Sequence, residues 1–169
     1  MNDCFENVCA IGTLECSSED AGFSLLKLVQ GAARKKGESA MTAEELLEQA
    51  ASAGAQALAR YSGFKVGAAL LTTDGRVYTG CNIENATYGL TVCAERVALW
   101  KALSEGERNF AQIAIASASD PPAAPCGACR QLLWEFCGDV EVILGNAAGA
   151  KEFYRLADLF PRPFDQGSF

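Results

Sequence analysis

The chain contains no histidine. That absence excludes Ser-His and Cys-His nucleophile pairs and every zinc site that depends on an imidazole. A transition-metal centre in this chain must be built from Cys, Asp or Glu. Basic residues are also scarce, with 14 Lys and Arg against 21 Asp and Glu for a net charge of −7. So acidic a chain is a poor partner for a phosphate backbone, which argues for a small neutral substrate and against nucleic acid. No stretch reaches the ~18 apolar residues of a membrane span. The opening Met1-Asn2-Asp3-Cys4-Phe5-Glu6 is acidic and lacks the basic-then-apolar order of a secretory leader. A cytoplasmic, reduced protein with no membrane partner is the expectation.

Cysteine, by contrast, is plentiful, with eight in 169 residues. In a secreted protein such a count reads as a disulfide framework; in a reducing compartment it reads as thiols held on metal. Half of the residues are hydrophobic. A chain of this length and composition can bury one substantial core.

Three of the cysteines fall in two short stretches, Thr91-Val92-Cys93-Ala94-Glu95-Arg96 and Pro125-Cys126-Gly127-Ala128-Cys129-Arg130. If Pro125 opens a helix, Cys126 and Cys129 share one face of its first turn. That is a workable bite for one Zn²⁺ with bonds near ~2.3 Å, and Cys93 is the third ligand. Three protein ligands leave a tetrahedral position for water, the pattern of a catalytic site. Glu95 is the natural proton carrier beside that water. Residues two apart do not share a helix face, so Cys93 has to sit at the helix tip for Glu95 to point the same way. A closed structural zinc module that binds a partner is the competing reading. It needs a fourth thiolate from Cys81 or Cys137, and Cys137 lies far along the third helix from Cys126.

The order Cys-x-Glu then Pro-Cys-x-x-Cys resembles the zinc deaminases that use Cys as first ligand. Tyr61-Ser62-Gly63-Phe64-Lys65-Val66-Gly67-Ala68-Ala69, Asn82-Ile83-Glu84-Asn85-Ala86-Thr87-Tyr88-Gly89 and the run from Pro125 to Gln131 are similar to the small cytidine deaminases. The resemblance spans roughly residues 41 to 164 in one register. It implies zinc-dependent hydrolytic deamination of cytidine and deoxycytidine to uridine and deoxyuridine, with release of ammonia, in pyrimidine salvage. It also implies a homotetramer in which neighbouring subunits complete each active site. Glu95 is then the catalytic acid and base, and Cys93, Cys126 and Cys129 are the metal ligands. Arg96 bonds the thiolates, with Arg130 a second candidate for offsetting their charge. Asn82 and Glu84 hold the ribose, Ala86 offers backbone to it, and Tyr88 and Ala94 are further substrate contacts. Phe64 contacts the base. Phe164, in Leu159-Phe160-Pro161-Arg162-Pro163-Phe164, reaches a neighbouring site. A third reading keeps this chemistry but changes the substrate to another aminoheterocycle, such as a nucleoside antibiotic, or to cytosine within RNA.

Residues 1–40 fall outside the resemblance and read as a flexible or weakly helical extension. Cys4, Cys9 and Cys16 are too irregularly spaced for a metal motif, and Met41 is a possible alternative start of translation. Residues 41–169 form the catalytic domain. Thr42 and Glu45 make a capping box for a helix whose apolar face runs through Leu47, Ala50, Ala51, Gly54, Leu58 and Tyr61, with Ser62-Gly63 ending it. Residues 66–71 and 77–82 read as a hairpin around Thr73-Asp74-Gly75-Arg76. A polar loop leads on to Thr91, which caps a helix to about residue 105. Residues 111–116 form a buried central strand, and Asp120-Pro121-Pro122 breaks the chain. A third helix covers residues 126–137 and a further strand 140–144. Gly145 to Gly149 turns, and a short helical piece comes before Pro161. Residues 165–169 read as a loose tail.

This order implies a three-layer α/β/α fold, and the family resemblance gives it a central mixed sheet. The second and third helices are apolar on most faces, more than one sheet can cover, which predicts subunit contacts.

Overall fold

The computed structural model describes residues 41–165 and 167. The expectations for residues 1–40, and most of that for the tail, lie outside the described residues. α1 (Ala43–Gly54) opens on the predicted capping box. Thr42 Oγ1 accepts from the Glu45 amide at 3.2 Å, and Glu45 Oε2 accepts from the Thr42 amide at 2.9 Å. β1 (Val66–Thr72) and β2 (Val77–Cys81) form the antiparallel hairpin. A single 3₁₀ turn (Tyr88–Leu90) interrupts the loop after β2. α2 (Ala94–Ser104), β3 (Phe110–Ser117), α3 (Gly127–Cys137), β4 (Glu141–Asn146), β5 (Lys151–Arg155) and the short α4 (Leu156–Leu159) complete the order.

The five strands make one mixed sheet in the order β2-β1-β3-β4-β5. β3 and β4 are parallel and joined through α3, and the other neighbours are antiparallel. β3 is therefore central, as its largely apolar sequence, broken only by Gln112 before Ser117, predicts. The strand period of two sorts the core into two layers. Leu70, Ile113, Ile115, Val142 and Leu144 face α2 and α3, with Leu99 and Leu133 packed on them. Ala69, Leu71, Ala114 and Ile143 face the other way, onto Leu46, Leu47 and Ala50 of α1. The result is the expected α/β/α sandwich. Each fully buried Leu or Ile contributes about 1.5–3 kcal/mol by removal from water.

Two glycines set how closely the helices approach the sheet. A Cβ on Gly67 of β1 would lie 1.8 Å from the Ala50 carbonyl oxygen of α1. A Cβ on Gly80 of β2 would lie 2.4 Å from the Ala94 carbonyl oxygen and 2.5 Å from the Ala98 amide nitrogen of α2. The first turn of α2, which carries Glu95, is thereby seated directly on the hairpin.

Four sequence expectations need correction. α1 stops at Gly54, so Leu58 and Tyr61 do not extend its apolar face and both are exposed, as is Ala51. The chain leaves the helix because Leu58 pairs instead with Ile83 in an isolated parallel bridge. The cap of α2 is Cys93, not Thr91, whose hydroxyl accepts from the Asn85 amide at 3.0 Å. Asn146 continues β4 beyond residue 144, and the turn is correspondingly shorter. β5 is a strand the pattern did not reveal: its alternation of exposed and half-buried residues carries charge, as suits a sheet edge.

Candidate active site

Cys93 and Cys126 are the N-caps of α2 and α3, both in extended backbone conformation and neither spending its side chain on the cap. Cys129 lies three residues on, in the first turn of α3, and is fully buried. The three sulfur atoms lie within 4.8 Å of one another. Cys93 Sγ is 3.9 Å from Cys126 Sγ, which is 3.6 Å from Cys129 Sγ. Two helix N-termini thus converge on three thiols. Each terminus brings roughly half a positive charge, which favours the ionised sulfur. Capping by Cys93 resolves the spacing problem of Cys-x-Glu, because the sulfur leaves from the tip while Glu95 lies in the first turn.

The electrostatics are those of a preformed ligand set. The hydrogen bond from the Cys129 thiol, then the Arg96 guanidinium, pull Cys93 down to about 5. Its role as donor in that pair, then burial, push Cys129 up. A cation bound among the sulfurs would replace the shared proton, because coordinated thiols are deprotonated. Arg96 Nη2 donates to Cys93 Sγ at 3.4 Å and to the Thr91 carbonyl at 3.1 Å. Its Nε is buried without a hydrogen-bond partner, and its guanidinium lies 6.0 Å from the centre of the Trp100 ring. A half-buried cation with a buried, unpartnered N–H is stabilised by nearby negative charge. A thiolate set supplies it, so these residues fit a thiophilic metal ion such as Zn²⁺.

Among the described residues, this is the one such group of cysteines, acids and histidines, and neither Cys81 nor Cys137 belongs to it. The described chain therefore offers no fourth thiolate to close the site. Arg130 bonds to carbonyls and not to the sulfurs. Its Nε donates to the Pro125 carbonyl at 2.7 Å and its Nη1 to the Leu159 carbonyl at 2.5 Å, tying the start of α3 to the end of α4.

Glu95 is only 5% exposed. Burial above all, and then the negative charge of Cys93, push its carboxyl above the usual range, against opposing bonds from its own amide and the Cys129 thiol. A carboxyl so placed holds and returns a proton more readily than one in water. Ala94, just before it, is fully buried.

The predicted sugar-reading loop lies on the other side of Thr91. Asn82 Nδ2 donates to the Phe64 carbonyl at 2.8 Å, and its Oδ1 accepts from the Val66 amide at 2.9 Å. Glu84 Oε2 accepts from the amides of Tyr61 at 2.7 Å and Ser62 at 3.2 Å. Both side chains therefore grip the segment that carries Phe64, which is 40% exposed. A cavity of about 410 Å³ is lined by Tyr61, Ser62, Glu84, Tyr88 and Thr91. The Tyr61 and Tyr88 rings meet edge to face at 6.3 Å. The structure thus brings Phe64, Asn82, Glu84 and Tyr88 together, with Thr91 joining them to Arg96 and the sulfurs. Ala86 is exposed on the same loop. Phe164 is not part of this cavity. Its amide donates to Gln131 Oε1 at 3.1 Å and its carbonyl accepts from Gln131 Nε2 at 2.6 Å, which holds it on α3. Sequence reasoning missed the parts played by Ser62 and Thr91, read only as a helix stop and a helix cap.

Comparison with known proteins identifies the family. Residues 40–146 match the family model described as the cytidine and deoxycytidylate deaminase zinc-binding region. A cytidine deaminase of Sporosarcina psychrophila is 46% identical over 127 residues, covering 75% of this chain and 93% of that protein. One from Halalkalibacterium halodurans is 48% identical over 125 residues, 73% of this chain and 95% of that protein. The crystal structure of a cytidine deaminase from Burkholderia pseudomallei superposes with a TM-score of 0.72 at 50% identity, over 73% of this chain and all of that one. With the matched region enclosing all three cysteines and Glu95, the chain belongs to the cytidine and deoxycytidylate deaminase family.

Proposed function

We propose that the chain catalyses the hydrolytic deamination of cytidine and deoxycytidine, giving uridine or deoxyuridine and ammonia, in the salvage of pyrimidine nucleosides. The observation that carries this reading is the buried Glu95 beside three thiols at two converging helix N-termini. Curated cytidine deaminases at 46% and 48% identity support the substrate.

Cys93, Cys126 and Cys129 would hold Zn²⁺. When bound, the ion supplies the acidity that makes hydroxide available from water near neutral pH. The chain's own residues do the rest. Glu95 accepts a proton from the attacking water and delivers it to ring N3, which makes C4 electrophilic. The water oxygen bonds to C4. Glu95 then carries the second proton to the amine, the C4–N bond breaks and ammonia departs. Arg96 and the two helix N-termini balance the thiolate charge. Asn82 and Glu84 read the sugar, aided by Ala86 and Tyr88, while Phe64 contacts the base and Ala94 lies beside it. Phe164, turned onto α3, serves the site of another copy.

A homotetramer with shared active sites accords with this reading. α2 leaves Trp100 45% exposed and α3 leaves Phe136 42% exposed, a large apolar area for one subunit. No helix among the described residues is long and apolar enough to cross a membrane, and a cytoplasmic enzyme is consistent with that.

The test is ammonia release from cytidine by purified protein of known zinc content, with Glu95→Gln alongside. Release by the wild type alone, with zinc retained in both, supports the reading. Stoichiometric zinc without turnover of cytidine or deoxycytidine refutes the substrate and redirects the search to other aminoheterocycles.

A further inference from the structure

Glu84 reads the sugar in the proposed function, and the role of Ser62 rests on that reading. A glutamate on an exposed loop has three rotatable bonds, and freezing such a side chain costs up to about 2 kcal/mol. A carboxylate that binds one hydroxyl in one direction works best when that cost is met before the substrate arrives. In this structure it is.

A carboxylate offers about four acceptor sites, two on each oxygen. Oε2 of Glu84 has both occupied, by the amides of Tyr61 and Ser62. Oε1 accepts from the Ser62 hydroxyl, which leaves one site on that oxygen. The open site thus belongs to the oxygen that Ser62 holds. The hydroxyl itself is aimed. Ser62 Oγ accepts from the Phe64 amide at 2.9 Å, which turns its hydrogen toward Glu84. The turn that brings these groups together runs through Gly63, whose φ of +69° is in the left-handed region. Among the described residues two of the three bonds to Glu84 come from backbone, so Ser62 is the one side chain there that orients it.

The arrangement is anchored to the reacting centre. Ile83, next to Glu84, exchanges backbone bonds with Val92 at 2.9 and 3.0 Å, and Val92 precedes Cys93. The Glu84 amide donates to the Leu58 carbonyl at 2.9 Å, fixing the other flank. Ser62 and Glu84 both line the cavity that Thr91 closes on the sulfur side.

We infer that Ser62 is a positioning residue for the reaction: its hydroxyl fixes Glu84 so that the remaining acceptor site on Oε1 meets the 2′- or 3′-hydroxyl of the nucleoside. The open site is an acceptor, so its ligand must be a donor, an O–H and not an ether or phosphoester oxygen. Ser62 acts on nucleoside capture and not on proton transfer at Glu95.

The experiment is steady-state kinetics of the full-length, metal-loaded protein with cytidine and with 2′,3′-dideoxycytidine. The variants are Ser62→Ala, Ser62→Thr, Glu84→Ala and the double variant Ser62→Ala/Glu84→Ala. Ser62→Ala is expected to raise KM for cytidine about tenfold and to leave kcat within about twofold, the loss expected for one hydrogen bond to a charged group. Ser62→Thr keeps the hydroxyl and restores KM. In the Glu84→Ala background, or with the dideoxy substrate, Ser62→Ala has no further effect. A fall in kcat at unchanged KM, a full effect of Ser62→Ala without Glu84, or no effect at all overturns the inference. If Glu84→Ala weakens both substrates equally, the sugar-reading role of Glu84 is itself wrong, and the inference falls with it. Discrimination by Glu84→Ala combined with silence of Ser62→Ala overturns the inference alone.

Discussion

Cys129 is fully buried and Glu95 is 5% exposed, whereas Tyr88 is 78% and Phe64 40% exposed. The two groups belong to one site but to different kinds of structure. The proposed reacting groups ride on two helix N-termini, with Glu95 and Cys129 packed into the core, Cys93 half-buried and Cys126 exposed, and Gly80 seats the first of these helices against the hairpin. The substrate-reading groups sit on loops held by side-chain-to-backbone bonds from Asn82 and Glu84. The difference suits the work. Proton transfer needs low dielectric and fixed geometry, while a nucleoside must enter and leave.

Damage to the buried half should therefore appear in kcat, metal content and stability, and damage to the loop half in KM. Glu95→Gln is the most severe break. It is expected to lower kcat by about 10²- to 10⁴-fold with zinc retained, the usual scale for loss of a general acid and base. Activity assay with metal analysis of the same sample checks it. Arg96→Ala leaves the thiolates without their nearest cation. Zinc affinity should fall about 10- to 100-fold, read by competition with a chromophoric chelator.

Gly80→Ala and Gly63→Ala sharpen the contrast directly. The first drives a Cβ into the Ala94 carbonyl and the Ala98 amide. It should cost about 1–3 kcal/mol, by denaturant unfolding, and reduce kcat because Glu95 shifts with the helix. The second meets no neighbour within 4 Å but puts a side chain at positive φ. It should cost about 1 kcal/mol and change KM with kcat kept. Equal effects of both variants on kcat would dissolve the distinction.

The smallest effect concerns Cys137, at the far end of α3, whose thiol burial pushes up to about 12. The folded protein keeps that proton above pH 9 and the unfolded chain loses it. Stability is thus full below pH 9 and declines as pH rises toward 12. Unfolding curves across that range should decline less steeply for Cys137→Ala.

What could be read from the sequence obeys the same division. The capping box, the hairpin, the central β3 and the Cys-x-Glu and Cys-x-x-Cys pairs are local patterns, and each is present in the structure. The end of α1 was not legible, because Leu58 and Tyr61 continue the helical period while pairing with Ile83 draws the chain away. Thr91 looked like a cap because its competing partner, the Asn85 amide, is six residues back along a loop. β5 escaped notice because its residues alternate with charge and not with full burial. Ser62 was invisible as a positioning residue because Glu84 lies 22 residues away in sequence. Long-range polar contacts between loops leave no periodic trace.

The proposed chemistry depends on a metal held by three thiolates with one position left for water. X-ray absorption at the zinc edge of the loaded wild-type protein tests it most directly. The account predicts three sulfur neighbours near ~2.3 Å and one lighter atom, oxygen or nitrogen, at about 2.0–2.2 Å. Four sulfur neighbours would contradict it, because a closed site cannot present water to a nucleoside.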